Sequence, residues 1–396
     1  MAITLNGTTG ITTPDVDSTA DISVNGLTVG RGAGSVATNT VVGASALDAN
    51  TTGASNVALG VDALGANTTA NNNTAVGYQA GYSNTSGGGQ HTFVGYQAGY
   101  STNAGTNLGV GAQALYSNTT GDDNTAIGSY RPLYSNTTGS SNVAVGRQAL
   151  NSNTTASNNT AVGYQAGYSG VTAPRNTCIG WKAGYANTTG YNCFVGTNSG
   201  VASTGYGNTF VGADYASGCG YLVTSGSNNT ILGGYNGNQG GLDIRTANNY
   251  IVLSDGDGNP RAYWDSSGNF SSPPMYNHTT GSGANAFIRS DGYLQRSTSS
   301  LRYKNTVNDA THGLNELLTL RPVTYKSNND GDTVYGGLIA EEVHDAGLTE
   351  FVHYADDGSP DALAYGNMVS LCVKAIQELK AELDTVKAEL ATLKGN

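Results

Sequence analysis

Between Asn39 and Gly233 the chain repeats one short phrase twelve times, Asn-x-x-(Val/Ile/Leu)-Gly. The repeat glycines are Gly43, Gly60, Gly77, Gly95, Gly111, Gly128, Gly146, Gly163, Gly180, Gly196, Gly212 and Gly233, spaced 16 to 21 residues apart and most often 17. Each follows an apolar β-former, from Val42 to Leu232, and four residues before each stands Asn, except that His91 takes this place before Gly95. A fixed period this short demands stacked supersecondary units, because no single unit can bury its apolar row without its neighbours.

Composition narrows the reading further. The chain holds 57 Gly, and only 11% of it is charged. Such a balance suits disorder, but strict columns of Val, Ile and Leu require an ordered stack. From residue 37 to 236 only nine residues are acidic or basic: Asp48, Asp62, Asp122, Asp123, Arg131, Arg147, Arg175, Lys182 and Asp214. A net charge of -11 and the absence of a basic stripe argue against a nucleic-acid partner, since phosphate binding needs clustered Lys and Arg. Cys178, Cys193, Cys219 and Cys372 lack metal-ligand spacing and read as small buried thiols, so neither metal nor cofactor is expected. The opening residues show neither a basic n-region nor an apolar h-region, and no run approaches 18 apolar residues; the expectation is no export signal and no membrane insertion.

Four segments follow from these patterns. Residues 1–36 are Thr/Gly/Val-rich and precede the repeat, as a cap or attachment piece. Residues 37–236 are the β-solenoid. In Asn73-Thr74-Ala75-Val76-Gly77, strand alternation turns Thr74 and Val76 one way and Ala75 the other, and glycine ends the strand where a positive φ or close backbone approach is needed. The Asn column is placed to bond amide to amide along the axis. Twelve coils at roughly 4.8 Å each predict a rod of about 60 Å. A second small column, Ala46, Ala63, Ala80, Ala98, Ala114, Ala149, Ala166 and Ala183, suggests faces that pack against other copies. Residues 237–298 lose the period and carry hairpin signals at Asp255-Gly256 and Ser267-Gly268, a β-rich neck. Residues 299–396 hold most of the Lys and Glu and end in regular heptads over 369–394, with Val369, Ile376, Leu383 and Leu390 at a and Cys372, Leu379, Val386 and Leu393 at d. Glu382 and Glu389 at g precede Lys387 and Lys394 at e by five residues, the pairing of a parallel coiled coil. The mixed a/d set does not choose between dimer and trimer.

The phrase Asn-Thr-Ala-Val-Gly-Tyr-Gln-Ala-Gly, at 73–81 and again at 159–167, resembles the β-roll head repeats of trimeric autotransporter adhesins and of phage tail fibres. Ser297 to Lys304, then Leu317 to Tyr325, Gly336 to Val343 and the terminal heptads resemble the endosialidase-type intramolecular chaperone domain of phage tailspikes and fibres. Together the resemblances imply a mainly β fold: a trimeric β-solenoid shaft, a neck, then an α+β chaperone domain ending in a coiled coil. They imply a virion tail fibre or receptor-binding protein, assembled in the host cytoplasm, attached by its N-terminus to a tail or baseplate protein and directed at a host-surface glycan or protein receptor. They also imply one enzymatic act, a single-turnover serine autopeptidase. Its nucleophile would be Ser299, its base Lys304, and its cut would fall between Thr298 and Ser299. Many members of that family carry Asp after the serine, where Ser300 stands here. A lysine base must be partly neutral near pH 7, through burial or a cationic neighbour such as Arg302.

Aromatic residues recur directly after the glycine (Tyr78, Tyr96, Tyr164, Trp181) and five residues after it (Tyr82, Tyr100, Tyr116, Tyr168, Tyr185). They read either as a sugar-binding surface, with the first four as candidate binding residues, or as rings that stack between coils or line a seam between chains. Two other readings stand beside the fibre. A bacterial trimeric surface adhesin would need an export signal and a membrane anchor, and a polysaccharide depolymerase would need carboxylates opposed across a cleft, whereas Asp122 and Asp123 are adjacent.

Overall fold

The computed structural model describes residues 21–25, 27–85, 89–213, 218–273, 286–288, 294–296, 304–328, 331–355 and 357–395. The chain forms two compact units, Met1–Thr280 and Gly281–Asn396. The first is the β-solenoid that the period predicts. Twelve short strands, from Thr40–Val42 to Thr230–Leu232, pair in parallel with each residue opposite its counterpart one coil on. The stack runs one strand beyond the repeat: Ile251–Ser254 pairs in parallel with Thr230–Leu232, then turns back antiparallel against Pro260–Trp264. At the other end the hairpin of Ile22–Val24 and Leu27–Gly30 lies antiparallel against Thr40–Val42. Antiparallel strands therefore cover both ends of the parallel stack and leave only the short strands Ile22–Val24 and Phe270–Ser271 as edges.

Glycine is required at the corner for two separate reasons. Gly163 has φ of +135°, and a Cβ there would stand 2.4 Å from the carbonyl oxygen of Gly180 in the next coil. Gly77, Gly146 and Gly180 repeat both constraints. The column is thus a line of backbone-on-backbone contacts.

The core is thinner than expected. Alanines at strand centres (Ala58, Ala75, Ala126, Ala144, Ala161) and the second small column from Ala46 to Ala183 are buried, whereas Thr74 and Val76 look outward. This corrects the expectation that the small residues form faces for other copies: they fill the coil's interior, where there is no room for large side chains from both directions. Volume is balanced locally. Leu64, Leu115 and Leu150 fill one interior column where strand centres are small, while Gly99 and Gly200 occupy that column beside Phe93 and Phe194. A Cβ at Gly99 would lie 2.4 Å from the Phe93 ring.

The Asn ladder is also wired, for the most part, differently from the expectation. Each Oδ1 accepts the backbone N–H of its counterpart one coil on, from Asn56 N–H on Asn39 (2.9 Å) to Asn229 N–H on Asn208 (2.9 Å). The amide nitrogens mostly donate to carbonyls, as Asn142 does to Ala156 (2.9 Å). Amide-to-amide bonds of the expected kind join Asn73 to Asn56 (3.0 Å) and Asn142 to Asn124 (3.1 Å), and a second column adds more, Asn136 donating to Asn118 and Asn153 to Asn136, each at 2.7 Å. Side chains thereby satisfy the buried backbone at corners that the strands cannot reach.

One rung breaks the ladder. His91 is fully buried and stacked on Phe93, and its Nδ1 accepts the Asn107 N–H at 3.2 Å, so the proton sits on Nε2, which has no partner. Burial lowers its pKa to about 4, with the Asp122 charge opposing. The unfolded chain therefore binds a proton between pH 6.5 and 4 that the folded chain refuses. Stability is full above pH 6.5 and is lost as pH falls through that window, by about 3 kcal/mol per chain. His91→Asn restores the repeat residue, and its melting temperature is expected to fall much less between pH 7 and pH 4.5 than that of the wild type; equal losses would refute the assignment.

The second unit is described by itself. Helix α1 (Leu314–Thr319), the hairpin Val323–Lys326 with Val334–Gly337, helix α2 (Ala340–Asp345) and the hairpin Val352–Tyr354 with Pro360–Leu363 lead into helix α3 (Tyr365–Lys394). Val343, Leu348, Phe351, Val352, Met368 and Leu371 form its core. Glu316 closes α1 by accepting the Gly313 N–H, and Glu378 of α3 accepts the Leu314 N–H, tying α1 to the long helix.

Candidate functional site

Backbone hydrogen bonds fix which residues share a column on the outer surface. The N–H two residues after a repeat glycine donates to the carbonyl directly after the previous glycine, in Gln97 to Tyr78, Gln113 to Tyr96, Gln165 to Arg147 and Lys182 to Tyr164, and after Gly128 the pattern shifts by one residue, in Arg131 to Ala112 and Gln148 to Tyr130. The first column thus reads Tyr78, Tyr96, Ala112, Tyr130, Arg147, Tyr164, Trp181. Tyr130 belongs to it only because the strand Thr125–Tyr130 carries a bulge, which sets Tyr130 rather than Ser129 opposite Ala112.

Of the four candidate binding residues, Tyr78, Tyr96 and Trp181 are 44%, 51% and 46% exposed, and Tyr164 is half-buried. They are also stacked: Tyr78 on Tyr96 with centroids 5.6 Å apart, Tyr164 on Trp181 at 6.2 Å. A second ladder runs Tyr82, Tyr100, Tyr116, Tyr134 at 5.1–5.3 Å, and Tyr168 stacks on Tyr185 at 5.1 Å. The rings are therefore stacked and at the same time partly exposed. Where one ring covers the next, its face is closed to a sugar, and open faces remain only at the ends and breaks of a ladder.

Between the two ladders lies a polar chain that the sequence reading missed. Gln79 Nε2 donates to Asp62 Oδ2 (3.5 Å), Gln97 to Gln79 (3.0 Å), Gln113 to Gln97 (3.2 Å), and Arg131 Nε to Gln113 Oε1 (2.8 Å). Its donors all point one way, with an anion at the acceptor end and a cation at the donor end, so amide dipoles and terminal charges reinforce one another. These residues have φ between +51° and +57°. Arg131 touches a ring in each ladder, 4.7 Å from the Tyr130 centroid and 4.5 Å from that of Tyr134, and Lys182 does the same with Trp181 and Tyr185. A glutamine recurring two residues after the glycine was the available signal.

Elsewhere the expectations meet mixed outcomes. Thr298 and Ser299 lie outside the described residues; Lys304 is described and exposed. Cys178 and Cys219 are buried, and burial pushes both thiols up to about 12, which makes them unreactive. Cys193 is only half-buried and Cys372 is exposed, so the expectation of buried thiols fails for these two. Asp122 accepts the N–H groups of Thr106 and Asp123, the work of a turn residue. Among the described residues no helix is long and apolar enough to cross a membrane.

On α3, Met368, Leu371 and Ala375 face the core, and the heptad stripe beside and beyond them is bare. Val369, Ile376, Leu383 and Leu390 are 46–64% exposed, and Leu379, Val386 and Leu393 are 53–76% exposed. Lys380 pairs with Asp384 within the helix, and Lys374 with Glu378 at 3.3 Å. No protein-family model, curated protein or solved structure matches the chain.

Proposed function

We propose that this chain is the subunit of a trimeric virion tail fibre whose solenoid shaft meets the host cell surface and whose second unit directs assembly and then severs itself. The observation that carries this reading is the bare stripe of α3. Seven large apolar side chains at heptad positions are held in solvent along a helix whose first turns alone are committed to the core of the second unit. A second and third copy of the same helix offer a matching seam. Assembly from that end answers a folding difficulty, because parallel coils pair residues distant in sequence and must find register before a misaligned stack aggregates.

In the proposed cut, Ser299 Oγ adds to the Thr298 carbonyl carbon while neutral Lys304 takes the hydroxyl proton. The bond from carbon to the Ser299 nitrogen breaks, and that nitrogen leaves with the proton from Lys304. Water then hydrolyses the resulting ester, freeing the Thr298 carboxylate and restoring the Ser299 hydroxyl. A lysine base is favoured by burial or a cationic neighbour, and Lys304 is exposed in the single chain. Burial on assembly would therefore make cleavage wait for the trimer. Intact mass of the purified protein is expected to show fragments ending at Thr298 and beginning at Ser299, and Ser299→Ala is expected to leave the chain whole. Uncut wild-type trimer after prolonged incubation would end the autopeptidase reading.

A further inference from the structure

The outer ladder has one break with walls. In the first column Ala112 separates Tyr96 from Tyr130, and the register bonds place those rings two coils apart. Two coils span about 10 Å; the Arg131 guanidinium lies over the Tyr130 ring at 4.7 Å, so the half of the gap against Tyr96 is what stays open to a ring. Tyr78 covers one face of Tyr96. The other face looks across the Ala112 methyl. No side chain of the first column fills the gap.

The far wall is cationic. Arg131 lies against Tyr130, and its Nε bond to Gln113 turns the guanidinium toward the coil that carries Ala112. Its Nη groups make no hydrogen bond among the described residues. Arg147 stands behind that wall, between Tyr130 and Tyr164, 5.9 Å and 5.8 Å from their centroids. The nearby carboxylates are engaged elsewhere: Asp62 ends the glutamine chain three coils away, and Asp122 holds the Thr106 turn. An apolar ring face opposite a guanidinium fork fits one chemistry, a saturated ring that bears a carboxylate: its C–H face packs on Tyr96 and its oxygens accept from both Nη groups.

We propose that the break over Ala112 is a binding slot for a single acidic sugar unit, a uronate or other carboxylated sugar, within a cell-surface glycan. This inference rests on the host-surface reading and gives it a ligand class. It also explains why an otherwise nearly uncharged surface gathers two of its four cations here.

The test uses the full chain on immobilised polygalacturonate, alginate and polysialate, each beside its carboxyl-reduced form, together with adsorption to a panel of bacterial cells. Wild type is expected to retain at least one acidic polymer tenfold more strongly than its reduced form. Ala112→Tyr continues the ladder with the residue that neighbouring coils carry, and it is expected to cost tenfold or more in binding. Arg131→Gln continues the glutamine chain and is expected to erase the preference for acid while leaving weak binding; it keeps the test open if the first variant misfolds. Wild-type binding that both folded variants retain, or binding to neutral polymers alone, would overturn the slot and leave host recognition standing. Adsorption to cells without binding to any acidic polymer would do the same. A wild type that binds no polymer and no cell would overturn host recognition as well.

Discussion

Replacing Gly163 with alanine is expected to destroy the solenoid, although the change adds one methyl group. The residue sits mid-stack at φ +135°, where an L side chain costs about 1–3 kcal/mol in strain alone. The added Cβ would also stand 2.4 Å from the Gly180 oxygen and 2.7 Å from its carbonyl carbon, atoms that cannot rotate away. Relief requires the coils to part by about 1 Å. That movement breaks the bond from Gly180 N–H to Val162, now 2.8 Å, which joins the same two coils. A loss above about 4 kcal/mol per chain is expected. Gly170→Ala is the matched control. There φ is not positive and the nearest atom to the new Cβ is 3.4 Å away, so the change is expected to be neutral or to stabilise by up to about 1 kcal/mol. Thermal unfolding of both variants followed by circular dichroism decides the matter. Similar melting temperatures would mean that the glycine column is not what sets the coil spacing.

That column was the most legible part of the chain, because a one-dimensional repeat exposes its constraint in the period itself. Which face is inside was less legible. Alternation separates Ala75 from Thr74 and Val76 but does not say which side is the core, and the intuition that larger apolar residues go inside reverses in a coil too thin to hold them. The Asn column was found, yet most of its bonding was not, since an amide offers both a donor and an acceptor and only geometry chooses the partner. The slot over Ala112 depends on a bulge. A spacing of 17 between Gly111 and Gly128 followed by 18 to Gly146 reveals one extra residue, but not that it lifts Tyr130 into the column. Tyr134 escaped notice for the same reason, standing six rather than five residues after its glycine.

Charging the bare stripe of α3 is expected to leave the second unit folded and abolish assembly. Leu383 and Leu390 are 46% and 48% exposed and lie outside the core of the second unit, so Leu383→Asp with Leu390→Asp removes no contact that the single chain needs. In the proposed trimer the same leucines would be buried at a positions. Burying a leucine contributes about 2 kcal/mol, so six in a three-chain seam supply about 12 kcal/mol of association before repulsion among six carboxylates is counted. The consequence reaches upstream. If the helices must align first, the double variant yields not only monomers but solenoids that fail to assemble, found as aggregate or as protease-sensitive chain, and Ser299 cleavage stops with them. Sedimentation and limited proteolysis separate the outcomes. A variant that keeps the wild-type mass and a protease-resistant shaft would show that the solenoids associate through their own half-exposed valine and threonine rows, with α3 a passenger. A variant that is monomeric yet still cleaved would divorce the autopeptidase from assembly, because the burial that activates Lys304 would then have to arise within one chain.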